Sequence, residues 1–267
     1  GQDFMLALLA VSMLSMLIGF GDDFIKVAKK RSLGLTPWQK IAGQVVVAVG
    51  FTLWCYFHPQ IGSKILVPFV NVEWDLGVWY IPLMSLTVIF MVNSANLQDG
   101  LDGLLSSVAS IGSAAWGVMA LFFLSAVSGL NNAELNNNYY AVAIFAMAVM
   151  GSCLGFLRFN HYPARIFMGD TGSMFIGGAT VGMAMVLRQP LMLLLIAFTM
   201  VGSSLSVMMQ VTYFKLTHGK RIFKMSPIHH HFELCGYSET QIVSMYAVVT
   251  GILSFVAVLS LNGLKLY

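Results

Sequence analysis

The stretch LLSSVASIGSAAWGVMALFFLSA, residues 104–126, runs for 23 residues without a charged side chain. A helix of about 20 residues crosses a hydrocarbon core about 30 Å thick, so this segment reads as a membrane span. Apolar segments of the same kind lie on both sides of it, at roughly 4–20, 38–57, 77–96, 140–157, 172–188, 190–216 and 241–262, which makes eight. They are continuously apolar and do not alternate with period two, which argues against a transmembrane β-barrel. The expected fold is an all-α, polytopic transmembrane bundle, with residues 1–267 forming one integral membrane domain. Composition agrees, since 58% of residues are hydrophobic and only 9% charged, where a soluble domain carries about 25% charged residues. That excludes an ordinary soluble domain and a disordered chain. Cys55, Cys153 and Cys235 show no CxxC pair and no metal-ligand rhythm, and read as buried, reduced thiols.

The first run, Phe4–Phe20, has no basic segment before it and no cleavage site after it, so it reads as a span and not as a signal peptide. Residues 190–216 exceed what a bilayer needs, and the segment must tilt, bend or protrude. Gly202 and the Ser203–Ser204 pair near its middle mark either a kink or a place of close helix packing.

Basic residues fix an orientation. Of the 14 Lys and Arg, only Lys64, Arg188 and Lys265 fall on one side of the span map; the others, from Lys26 through Lys224, share the opposite side, which is therefore cytoplasmic. Both ends of the chain then face outward. Asp22, Asp23, Asp99, Asp102, Asp170, Glu233, Glu239 and five of the six histidines gather on the cytoplasmic side as well. The outer segments 58–76 and 127–139 read as plain connectors, the second an Asn-rich turn.

Four stretches on that face carry chemistry. In GDDFIK (21–26), adjacent carboxylates repel, and Asp22 and Lys26 pair at i, i+4 if helical while Asp23 projects elsewhere. In NLQDGLDGL (96–104), Asn96, Asp99 and Asp102 follow each other at helical spacing on one broad face, where ionisable groups at membrane depth mark function. Gly100 and Gly103 permit close approach or break the helix. In FNHYPARIFMGDTGS (159–173), Asp170 and Thr171 sit at a helix start suited to phosphate, and Asp170 suits Mg²⁺; simple helix capping is the alternative. PIHHHFE (227–233) lies in a long loop, and three consecutive histidines do not converge on one zinc ion, while with Lys220, Arg221 and Lys224 they suit phosphate or sugar oxygens, or anionic lipid. Together these point to metal-assisted phosphoryl chemistry at the bilayer surface.

These four strings resemble the polyprenyl-phosphate N-acetylhexosamine-1-phosphate transferases, and PIHHHFE is similar to the branch acting on the muramoyl sugar. The resemblance spans nearly the whole chain. It implies transfer of phospho-MurNAc-pentapeptide from UDP-MurNAc-pentapeptide to undecaprenyl phosphate, giving lipid I and UMP, at the bacterial cytoplasmic membrane and with Mg²⁺. It further implies that Asp170 is the principal metal ligand and that Asp22, Asp23 and Asp99 are the remaining catalytic carboxylates. Lys26 and Asn96 fall beside them as substrate-binding residues. Asn160, Phe167, Gly100, Leu101 and Asp102 match positions associated with uridine, Gln210 a polar residue near that pocket, and His229, His230 and His231 the loop closing on the sugar phosphate. A homodimer and binding of uridine-containing natural inhibitors are family-level implications; no nucleic acid partner is implied. The family has ten spans where eight are visible here, and an N-terminal Lys and PTMGG-like motif are absent, which implies a further N-terminal segment. Gln98 stands where Thr is common.

Both a one-step displacement by the lipid phosphate and a two-step route through a phosphosugar-enzyme fit these carboxylates; the first is favoured, because a lipid phosphate is already anionic near neutral pH. A cation transporter is the rival from another class, but it would place carboxylates at mid-membrane with an outward exit. A CDP-alcohol phosphotransferase would show a DG…AR…G…D…D spacing and an intramembrane metalloprotease HExxH, and neither occurs.

Overall fold

The computed structural model describes residues 2–30, 33–70, 72–127 and 132–261. Helices α1 (Asp3–Ala28), α2 (Pro37–Phe57), α3 (Tyr80–Gln98), α4 (Leu104–Val127), α5 (Ala133–Asn160) and α6 (Gly169–Val186) are followed by the short α7 (Leu193–Ile196), then α8 (Phe198–Leu216), α9 (Ile228–Leu234) and α10 (Glu239–Leu259). An antiparallel ribbon, β1 (Lys64–Val67) with β2 (Val72–Asp75), lies between α2 and α3. The bundle is all-α apart from that ribbon, in a multi-pass membrane protein.

Among the described residues six helices are long and apolar enough to cross a membrane, or seven if a bent pair counts as one span. The expected span at 172–188 is α6, which is not among them. Its first turn carries Gly169, Asp170 and Thr171, and from Ser173 onward every residue but Phe175 is buried against protein, so it is a core helix. Small residues let it sit there. A Cβ on Gly177 would meet Val92 Cα at 2.6 Å and one on Gly178 would meet the Val11 carbonyl at 3.1 Å, so α6 lies wedged between α3 and α1.

The long segment bends by 88° between Pro190–Ile196 and Phe198–Leu216. The break falls at Ala197, whose φ −106° and ψ 23° leave the helical region, and not at Gly202–Ser204. There the small residues serve packing, with the Ser204 hydroxyl donating to Ser94 Oγ at 2.8 Å.

Other expectations change in the two connectors. The 58–76 connector contains the ribbon, clamped by Glu73, which pairs with Lys64 at 3.0 Å and with Arg188. The Asn-rich turn is mostly the start of α5: Asn132 caps it through Leu135 N, and buried Asn138 donates to Gln60 Oε1 at 2.8 Å. Cys55 and Cys153 are buried but Cys235 is exposed. Arg31, Asn131 and Lys265 lie outside the described residues, as does the end of the expected last span.

Candidate active site

The site is set by where α1 meets α6. Gly19 allows the closest contact, since a Cβ there would lie 2.2 Å from the Asp170 carbonyl oxygen. The last two turns of α1, beyond the expected end of that span, then run beside the first turn of α6. Ligand atoms of Asp22, Asp23 and Asp170 all lie within 4.8 Å of one another. Lys26 reaches the three: 2.5 Å to Asp22 Oδ2, 3.4 Å to Asp23 Oδ1 and 3.5 Å to Asp170 Oδ2. The expected i, i+4 pair is present, but Asp23 does not project elsewhere, because one helical turn brings it to the same ammonium group.

Each carboxylate has its own fixed partner. Asp22 Oδ1 accepts from Leu35 N at 2.8 Å, which ties the entry to α2 onto α1. Asp23 Oδ2 accepts from Thr171 N at 2.9 Å and from Thr171 Oγ1 at 2.7 Å. One N–H of the α6 start, which was expected to suit a phosphate, thus holds a carboxylate of the protein itself. Gly169, at φ +65°, makes room, for a Cβ would stand 2.8 Å from Asp23 Oδ2. Asp170 Oδ1 accepts from Asn96 Nδ2 and Oδ2 from Lys40 Nζ, both at 2.8 Å. Asn96 also donates to Ser173 Oγ at 2.9 Å.

Asp99 joins the same field from α3. Burial pushes its carboxyl up to about 7, and Asp170 and Asp23 add to that rise. The expected single face of Asn96, Asp99 and Asp102 does not form, because α3 ends at Gln98 and Gly103 turns the chain at φ +77°. Asp102 points to the 161–168 segment instead, accepting from Ala164 N at 2.8 Å, while its own N–H donates to Glu239. Asn160 anchors that segment from the other side: its Oδ1 accepts from Gly103 N and Ser106 Oγ, and its Nδ2 donates to the Ile166 carbonyl. Phe167, at the end of the segment, is 75% exposed and free to stack on a flat ligand.

The histidines divide, as their spacing requires. A Cβ on Gly100 would meet His229 Nε2 at 2.5 Å and His230 Nε2 at 3.2 Å, so Gly100 is where the second and fourth motifs touch. His229 is fully buried with neither ring nitrogen bonded to protein, and burial followed by neighbouring His230 pulls it down to about 3. His230 Nδ1 lies 2.5 Å from Glu233 Oε2. His231 Nδ1 accepts from Lys224 N at 3.1 Å. Gln210 holds the preceding loop: its Oε1 accepts from Ile222 N and Phe223 N, and its Nε2 donates to the Phe223 carbonyl, all at 3.0 Å. Leu101 is buried between the glycines.

Sequence reasoning missed Lys40, which had counted only toward orientation, and the roles of Thr171 and Ser173. Lys40 and Asp170 are 130 positions apart and no local spacing joins them. Thr171 was legible only as a cap.

Residues 5–188 match the family model described as glycosyl transferase family 4. The chain is 45% identical over 244 residues to a phospho-N-acetylmuramoyl-pentapeptide-transferase of Clostridium perfringens (strain 13 / Type A), covering 91% of this chain and 72% of the relative. It is 44% identical over 243 residues to that of Clostridioides difficile (strain 630), covering 91% and 71%. Against that of Clostridium novyi (strain NT) the figures are 42% over 253 residues, 94% and 73%.

Proposed function

The chain belongs to glycosyl transferase family 4, and on that premise we propose that it transfers phospho-MurNAc-pentapeptide from UDP-MurNAc-pentapeptide to undecaprenyl phosphate, releasing UMP and forming lipid I. The observation that carries this reading is the convergence of Asp22, Asp23 and Asp170 on Lys26 at one end of a membrane bundle, beside the Gly100–His229 contact. We also place that end at the cytoplasmic face, with eight passes when α6 and the bent pair are each counted.

The three carboxylates fit Mg²⁺ by their donor set, since they are hard oxygen donors lying close enough to share one ion. Asp170, with Asp22 or Asp23, would hold it; when bound it neutralises pyrophosphate charge. Lys26 and Lys40 hold the carboxylates aimed into the same space. Thr171 fixes Asp23, and Asn96 fixes Asp170, so the cluster is set before substrate arrives. A lipid phosphate oxygen attacks the β-phosphorus, and the bond from that phosphorus to the bridging oxygen breaks, with UMP leaving on the bridging oxygen and its electron pair. Asp99, titrating near neutrality, exchanges protons with the phosphates at the mouth of the cluster. Phe167 stacks on the uracil ring, while Asn160, Asp102 and Gln210 act by holding the surrounding segments in place.

The test is UMP release by the whole chain in detergent with both substrates, with and without Mg²⁺, beside Asp170→Asn. Release requiring lipid and Mg²⁺ and lost in the variant supports the reading. Release from the nucleotide sugar without any lipid acceptor overturns it.

A further inference from the structure

At the end of the bundle away from the carboxylates, the β1–β2 ribbon exposes the apolar side chains of its outer strand, β2, while β1 is packed into the bundle through Ile65 and Leu66. Register pairs Ile65 with Trp74 and Val67 with Val72, so these four side chains share one face. Trp74 and Val72 are each 56% exposed. On the opposite face Lys64 and Glu73 pair with each other, and Arg188 grips Glu73 and the Lys64 carbonyl. Asp75 accepts from the Ser63 hydroxyl and from Gly77 N. Every charge on the ribbon is therefore engaged, and none needs water on the apolar side.

The patch continues into a span. Val78 and Trp79 are exposed at the start of the 77–98 segment, which is long and apolar enough to cross a membrane. Trp79, Leu83 and Leu86 follow at i, i+4 and i+7 and are all exposed, which marks the lipid-facing stripe of α3. The ribbon thus carries exposed apolar surface past the start of that span, with two exposed tryptophans, Trp74 and Trp79, in the residues that lead into it. Indole rings favour the boundary between the apolar core and the head groups, being apolar in body with one N–H to satisfy.

We propose that the β1–β2 ribbon is a membrane-interface anchor: its Trp74/Val72 face, with Trp79, lies among the lipid head groups and upper acyl chains. The occupant is the bilayer itself. Buried Ile65 and Leu66, with the Arg188–Glu73 ion pair, fix β1 to the bundle, so that Val72 and Trp74 on the outer strand meet lipid.

The experiment is nitroxide accessibility in the whole chain reconstituted in phosphatidylcholine vesicles. Of the three cysteines only Cys235 is exposed, so Cys235→Ser leaves the buried thiols unlabelled and Val72→Cys or Trp79→Cys is then labelled. Leu86→Cys serves as the lipid reference and Lys220→Cys, in an exposed loop, as the water reference. The expected result is that labels at 72 and 79 collide more with oxygen than with a water-soluble nickel chelate, approaching the ratio at 86. A ratio like that at 220 overturns the anchor. Low collision with both reagents and an immobilised spectrum also overturns it, and assigns the face to a protein partner or a second copy. If Trp79→Cys fails to fold, Val72→Cys alone decides. The readout does not involve transfer activity, so its failure leaves the proposed function standing.

Discussion

The imidazole of His229 stands directly on Gly100, so close that a methyl group at position 100 would lie 2.5 Å from His229 Nε2. This contact joins two stretches more than 120 residues apart in sequence and brings α9 onto the turn that follows α3. His229 is buried with both ring nitrogens unbonded, so little besides packing holds it. Gly100→Ala must therefore push the His229 ring, packed on all sides, out of its place. The expected outcome is a loss of about 100-fold in kcat/KM for transfer, the scale of an ångström-sized misplacement, with helical content by circular dichroism unchanged. Unchanged kinetics in a folded variant would show that the histidines move independently of Gly100.

Asp23 is held by both polar groups of Thr171. Thr171→Val keeps the backbone donor and the shape but removes the hydroxyl, leaving one of the two bonds to a charged acceptor. A hydrogen bond to a charged group contributes about 1.5–3 kcal/mol. We expect kcat to fall roughly tenfold or more, by about 1.4 kcal/mol per decade, and Thr171→Ser to recover most of it. Equal rates for the valine and serine variants would count against a role for the hydroxyl.

Asp99 titrates near 7 in the folded protein, above the ordinary carboxyl value of 3.8. The folded state then binds this proton more tightly than the unfolded chain does. Stability contributed by the protonated form is complete below about pH 4 and is lost as pH rises from there to about 7. Asp99→Asn cannot ionise, so in metal-free protein its melting temperature should rise relative to the parent across that interval and level off above it. The gain should reach about 2 kcal/mol once solvent screening of a half-buried group is allowed for. A difference in melting temperature that does not vary between pH 4 and 8 would remove Asp99 as the titrating group. Added Mg²⁺ should narrow the difference, since a nearby cation favours the ionised form.

The membrane class and most span positions were legible in the sequence, and the four polar stretches stood out there, because apolar length and local spacing are one-dimensional signals. What stayed hidden is what depends on packing between distant segments. Lys40 reaches Asp170 only because Gly19 and the α6 glycines draw α1, α3 and α6 together. The bend at Ala197 has no glycine or proline at the break itself, and the small residues that suggested one at 202–204 are used between helices. α6 reads as a span because its apolar stretch is long enough, and that it is buried on nearly all sides is a property of its neighbours, which length does not reveal. Asp102 left the expected face because Gly103 ends the helical register, which spacing alone does not reveal.

Asn160 shows how a residue associated with substrate can act through the protein. Three of the four hydrogen bonds its amide can make go to the chain itself: Gly103 N and Ser106 Oγ donate to it, and it donates to the Ile166 carbonyl. It is 4% exposed, so water cannot replace these partners. Asn160→Ala leaves two buried donors and one acceptor unpaired, which costs about 2–3 kcal/mol. The melting temperature should fall by several degrees, and residues 161–168, which carry Phe167, should become open to limited proteolysis. Asn160→Asp keeps the acceptor but loses the donor to Ile166, so its effect should be intermediate. If Asn160 served only to touch the nucleotide, the alanine variant would melt like the parent and show a raised KM alone.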